Sequence, residues 1–127
     1  MIVVDTSALI AILLNEPLAD DCDAALKSGD RVLISAGTLT ESLIVAGGRG
    51  VRDELEKLVE GLGFDVVPVT EERARRAATA QARWGKGTKS AGLNFGDCFA
   101  YAVAKENGCA LLYVGRDFAK TDVKSVL

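Results

Sequence analysis

Met1-Ile2-Val3-Val4-Asp5-Thr6-Ser7-Ala8-Leu9 is the stretch on which the fold turns, because an apolar run there meets one carboxylate and then two hydroxyls. Ile2 to Val4 read as a short strand buried on both faces, since three successive apolar residues leave no polar face for water. Asp5 falls where that strand stops. Thr6 or Ser7 suits the N-cap of the next helix, accepting a backbone N–H, and Ala8 to Leu14 continues as an apolar helix. A carboxylate at the carboxyl end of a parallel strand lies where open α/β sheets place their ligands. Asp is also a favoured N-cap, so Asp5 fits either role on sequence grounds.

The chain has 127 residues, 49% of them apolar, which predicts one domain over residues 1–127 with its own core. The longest unbroken apolar run, Ala8 to Leu14, falls far short of the roughly 20 residues that cross a bilayer, and no basic residue precedes it. The expectation is a cytoplasmic protein without signal peptide or membrane anchor. Cys22, Cys98 and Cys109 form no CxxC pair and read as reduced thiols among apolar neighbours. With no histidine anywhere, Ser-His-Asp and Cys-His nucleophile systems and the usual zinc sites are excluded, which leaves the chemistry to carboxylates. A net charge of −3 argues mildly against a free-standing nucleic-acid binder. Carboxylates that hold a divalent cation nevertheless present positive charge locally.

Three further apolar runs alternate with helical patterns. Val32 to Ile34, Phe64 to Val67 and Ala110 to Val114 read as strands. A helix carries Leu18, Cys22, Ala25 and Leu26; the next has Leu39, Leu43 and Ala46 inward; Arg49 to Leu62 gives another. Thr70 caps a helix whose Ala74, Ala77, Ala78 and Gln81 form a small-residue face, and Asn94 caps a dense apolar helix from Phe95 to Asn107. Four short strands alternating with helices imply right-handed βαβ crossovers, hence a three-layer α/β/α domain around a central parallel sheet of four or five strands. The loop Gly85-Lys86-Gly87-Thr88-Lys89-Ser90-Ala91-Gly92 lacks the glycine-to-Gly-Lys-Ser/Thr spacing of a phosphate loop and follows a helix rather than a strand.

Acids stand at the element junctions: Asp5 after the first strand, Glu41 in the helix after the second, Asp97 at the start of the late helix, and Asp117 after the fourth strand. A parallel sheet turns strand ends and helix starts to one edge, where these groups can converge. Unpaired carboxylates so close repel and raise each other's pKa values, and a hard divalent cation such as Mg²⁺ or Mn²⁺ relieves this. Each acid also has a structural explanation. Thr38-Leu39-Thr40-Glu41 fits a capping box, Asp97 three residues after Asn94 fits a first-turn acid, and Asp117 or Asp122 fits a solvated tail.

Taken together, Ile2 to Leu9, Glu41, Leu93-Asn94-Phe95-Gly96-Asp97-Cys98 and Leu111 to Phe118 resemble a PIN-domain ribonuclease, specifically a VapC-type toxin of a toxin–antitoxin pair. The resemblance spans nearly the whole chain. It implies a pocket that binds Mg²⁺ or Mn²⁺ and hydrolyses RNA phosphodiesters to a 3′-hydroxyl and a 5′-phosphate. It further implies that Asp5 and Asp97 ligate the metal, that Glu41 and Asp117 complete the catalytic set, and that Thr6 or Ser7 orients a water or ligand. A homodimer and a cognate VapB-type antitoxin are implied as partners. The chain departs from the family at Tyr113-Val114-Gly115, where many members carry an added Asn or Asp, so one ion or two is left open. Arg73, Arg75, Arg76, Arg83, Lys86 and Lys89 fit an RNA backbone track or a solvated helix face. The alternative function is a non-catalytic PIN-like module that binds RNA or a protein.

Overall fold

Ile2–Val4 (β1) is wholly buried and lies inside a four-stranded parallel sheet, flanked by Val32–Ser35 (β2) and Ala110–Leu112 (β4), with Asp65–Val67 (β3) outside β2. This computed structural model describes residues 1–87 and 91–127. Thr88, Lys89 and Ser90, from the loop expected over 85–92, lie outside the described residues.

The sheet order β3-β2-β1-β4 reverses direction between β1 and β4. A crevice opens outside the strand ends at such a reversal, and Asp5 stands at its mouth, its backbone N–H donating to Leu112 O at 3.0 Å. The remaining elements are α1 (Thr6–Leu13), α2 (Ala19–Leu26), α3 (Ala36–Gly48), α4 (Arg52–Leu62), α5 (Glu71–Trp84) and α6 (Phe95–Asn107), with a 3-10 turn at Phe118–Lys120. None of the described helices is long and apolar enough to cross a membrane.

Side chains alternate across the pleat of β1, so the strand feeds two cores. Ile2 and Val4 join Leu9, Cys22, Leu26, Ile34, Ala46 and Leu55 on one face, while Val3 joins Leu33, Leu111, Ala77, Ala80 and the apolar side of α6 on the other. These are the outer layers of an α/β/α sandwich. Cys22 and Cys98 are buried free thiols, and Cys109 is a half-buried one.

Local chemistry moved several boundaries. α1 begins at Thr6 because Asp5, rather than Thr6 or Ser7, is its N-cap, and α3 begins at Ala36 because Ser35 accepts the Gly37 N–H at 3.1 Å. Thr38 is therefore already helical and buried, and the capping box expected at Thr38–Glu41 does not form. β4 ends two residues earlier than the apolar run suggests. The small-residue face of α5 packs through Ala77 and Ala80, whereas Ala74, Ala78 and Gln81 stay exposed on the wall of a cavity.

Candidate active site

Parallel strands place all four carboxyl ends at one edge, and α6 starts from that edge, so Asp5, Glu41 and Asp97 meet there although they lie 36 to 92 positions apart in sequence. Asp5 is 2% exposed and divides its two oxygens between two roles. Oδ2 accepts the Ser7 backbone N–H at 3.0 Å and the Ser7 hydroxyl at 2.7 Å, which caps α1. Oδ1 is buried and has no hydrogen-bond partner among the described residues. The capping and ligand readings of Asp5 are thus compatible, one for each oxygen.

Ser7 fixes that division. Its Oγ donates to Asp5 and accepts the Val114 N–H at 3.0 Å, tying the acid to the chain leaving β4. Thr6 points the other way. Its hydroxyl lies 2.7 Å from Glu41 Oε1 and 2.9 Å from Ser42 Oγ, and a hydroxyl carries one proton, so Thr6 donates to the carboxylate and accepts from Ser42. Glu41 is consequently held by α1 and does not serve its own helix as a cap.

Asp97 is 7% exposed and closes a capping box with Asn94, its Oδ2 accepting the Asn94 N–H at 3.0 Å while Asn94 Oδ1 accepts the Asp97 N–H at 2.9 Å. The first-turn role expected of it is real, and it brings the side chain to the crevice. Gly96 makes room: a Cβ there would overlap the Glu41 carboxylate. Sequence reading missed Ser42 and Gly96. A glycine inside the first turn of an otherwise apolar helix, where it costs about 1 kcal/mol relative to Ala, was the available signal.

Electrostatics report the same convergence. Burial pushes the Asp5 carboxyl up to about 7, helped by the charges of Asp97 and Glu41 and opposed by the Ser7 hydrogen bonds. Burial likewise pushes Asp97 up to about 6, with Glu41 and Asp117 adding to the rise while the Asn94 N–H and the Lys86 charge oppose it. Asp117, exposed ahead of the 3-10 turn, therefore acts on Asp97 through space. Asp122 is engaged elsewhere: it accepts the Tyr101 hydroxyl at 2.5 Å and pairs with Lys105 at 3.2 Å.

Most of the basic cluster is otherwise engaged. Arg73 binds Glu106, Arg76 pairs with Glu72, Arg75 lies 3.9 Å from Glu71, and Arg83 lies over the Trp84 ring and 4.0 Å from Asp122. This is chiefly a solvated, ion-paired helix face, while the exposed Lys86 acts on Asp97 through its charge and Lys89 lies outside the described residues.

The donor set suits a hard divalent cation. Asp5 Oδ1 is a buried carboxylate oxygen without a donor, and two neighbouring acids raise its cost of ionisation. Among the described residues no three cysteine, aspartate or glutamate side chains are grouped closely enough to enclose an ion by themselves.

The sequence matches the PIN domain family over residues 2–124. Ribonuclease VapC30 of Mycobacterium tuberculosis is 40% identical over 98% of this chain and 97% of its own length, and Ribonuclease VapC28 of the same organism is 42% identical over 98% and 97%. In fold, the chain is similar to M. tuberculosis VapC20 with a TM-score of 0.79 at 17% identity, covering 99% of this chain and 98% of that one. It is also similar to FitAcB from Neisseria gonorrhoeae, with a TM-score of 0.70 at 22% identity over 98% and 96%. A parallel sheet with acids gathered at its reversal and a match along almost its full length leave one assignment: the chain belongs to the PIN-domain family and, within it, to the VapC ribonucleases.

Proposed function

We propose that the protein is a divalent-metal-dependent endoribonuclease, the toxin of a VapBC-type pair, which hydrolyses RNA phosphodiester bonds at the Asp5–Glu41–Asp97 crevice. The buried, donorless Oδ1 of Asp5 carries this reading, because an ionised oxygen there is costly until a cation takes it up. Asp5 and Asp97 would hold Mg²⁺ or Mn²⁺, with Glu41 and Asp117 completing the acidic set. When bound, the cation would polarise the phosphodiester oxygen and lower the pKa of the attacking water, so that water can act without a strong side-chain base.

The chain's own residues do the rest. Ser7 keeps Asp5 Oδ2 engaged, so that Oδ1 is the oxygen turned to the ligand. Thr6 holds Glu41 Oε1, and Ser42 orients the Thr6 hydroxyl. With its carboxyl pushed up to about 7, Asp5 would have to be in its ionised form to hold a cation at neutral pH. An antitoxin tail covering the groove and a homodimer remain part of the reading through the family, and the residues 1–127 are taken as one PIN domain.

Cleavage of a labelled total-RNA sample with and without Mg²⁺ or Mn²⁺ tests the proposal, with Asp5→Asn and Asp97→Asn as controls. The parent chain should cut only with the cation, and both variants should lose at least a hundredfold in rate, in the range expected when catalytic electrostatics are removed. Undiminished cleavage by either variant would sink the mechanism. RNA binding by the parent chain with no cation-stimulated cleavage would make it a binding module instead.

A further inference from the structure

Beside the acids lies an apolar cavity of about 670 Å³ between α5 and the start of α6, a size typical of small-ligand sites. Ala74, Ala77 and Ala78 form its α5 wall, and Phe95 and Phe99 form the opposite one. Phe95 is 80% exposed, yet it occupies the same helical turn as Asp97. Covering an exposed phenylalanine is worth roughly 1.5–3 kcal/mol, which is available to a ligand that stacks on it.

Its ring is also braced. Phe99 meets Phe95 edge-on with centroids 5.1 Å apart, and Phe99 itself sits so close to Gly37 that a Cβ there would meet its ring at 2.7–3.0 Å. The platform is therefore anchored to the helix that carries Glu41. Lys86 lines the same cavity and its charge is felt at Asp97, so a cation borders the apolar space on the side of the acids' turn. An aromatic face, a cation and a hydrolytic carboxylate in sequence match a nucleotide unit: base, phosphate and scissile bond.

We propose that this cavity is a subsite for one unpaired nucleobase of the RNA substrate, which stacks on Phe95 while Lys86 meets an adjacent phosphate. The inference rests on the ribonuclease reading above. Continuity with the acid crevice favours a base over a second copy of the chain, because the cavity and the site share the turn Asn94 to Cys98. Recognition of single-stranded RNA by aromatic stacking needs an unpaired base, so the substrate is single-stranded or looped at this position.

The test is a binding cycle in chelating buffer, where nothing is cut. The probes are a short oligouridylate and the same strand carrying one abasic ribose, placed in turn at each position. Phe95→Ala should weaken the intact strand roughly tenfold, as loss of one base–aromatic stack does. It should leave unchanged the strand whose abasic ribose falls at the subsite. Phe95→Trp should restore binding, and Ala78→Leu, which fills the cavity from an exposed position, should reproduce the loss. Equal weakening of every strand by Phe95→Ala would overturn the proposal. So would a fall in the chain's sedimentation mass in that variant, which would make the face a contact between copies. Failure of the ribonuclease reading shows separately, as intact RNA after incubation of the parent chain with Mg²⁺ or Mn²⁺.

Discussion

The carboxylate of Glu41 rests against the backbone of Gly96, so that no side chain fits at position 96 while Glu41 keeps its place. Two acids from separate helices are thereby set at a fixed distance, since Gly96 precedes Asp97 directly. Thr6 holds Glu41 from the opposite side.

Gly96→Ala should therefore injure the site more than the fold. The methyl group displaces Glu41, and a misplacement of ~1 Å at a catalytic group costs on the order of a hundredfold in rate. The helix itself gains by about 1 kcal/mol from replacing Gly with Ala, which offsets the local clash. Cleavage rate and melting temperature measured together check this, and an unchanged rate would show that Glu41 has no positional demand.

Thr6→Val preserves the shape and the β-branch but removes the hydroxyl that links Glu41 and Ser42. Loss of a buried hydrogen-bond partner costs about 1–3 kcal/mol. Reduced stability and reduced kcat are expected together, with Thr6→Ser restoring most of both. Denaturant melts and single-turnover cleavage read the two effects.

The pH dependence of stability follows from the raised carboxyls. Asp5 near 7 and Asp97 near 6 hold protons that the unfolded chain, at its ordinary 3.8, has already released. Their contribution is full below about pH 4 and is lost as pH rises through 6 to 7. Glu106 and Asp122, held low by Arg73 and by Tyr101, act the other way and only in more acidic solution. In chelator the melting temperature should decline from about pH 5 to about pH 8, and Mg²⁺ should raise it more at the upper end. Asp5→Asn should flatten the decline and abolish the Mg²⁺ increment. Equal increments at both pH values in the parent would mean that the cation does not compete with these protons.

Asp117 and Asp122 should separate cleanly. Asp117→Asn removes a charge that acts on Asp97, so cleavage should fall several-fold with little change in folding. Asp122→Asn weakens the Trp84–Tyr101–Asp122 chain and its Lys105 pair, so the melting temperature should drop while the cleavage rate holds. The opposite assignment of losses would place Asp122 in the acidic set.

Among the described residues, runs of apolar residues were enough to locate the four strands and to set the parallel α/β/α order, through burial on both faces for β1 and β2, whereas the edge strand β3 leaves Val66 exposed. The absence of histidine and the placing of Asp5, Glu41, Asp97 and Asp117 at junctions likewise pointed to the acids on which the proposed chemistry rests. Which role each acid plays was not legible, because one residue type serves both caps and ligands. Only the folded chain gives Asp5 one capping oxygen and one free, and gives Glu41 to Thr6 instead of to a capping box. Gly96, Ser42 and the cavity beside Phe95 were equally silent, since each depends on what another helix brings near. The sequence of this protein determined its elements through local pattern and supplied the acids of the proposed site. Tertiary structure alone decided which oxygen stands free, because that depends on partners dozens of residues away.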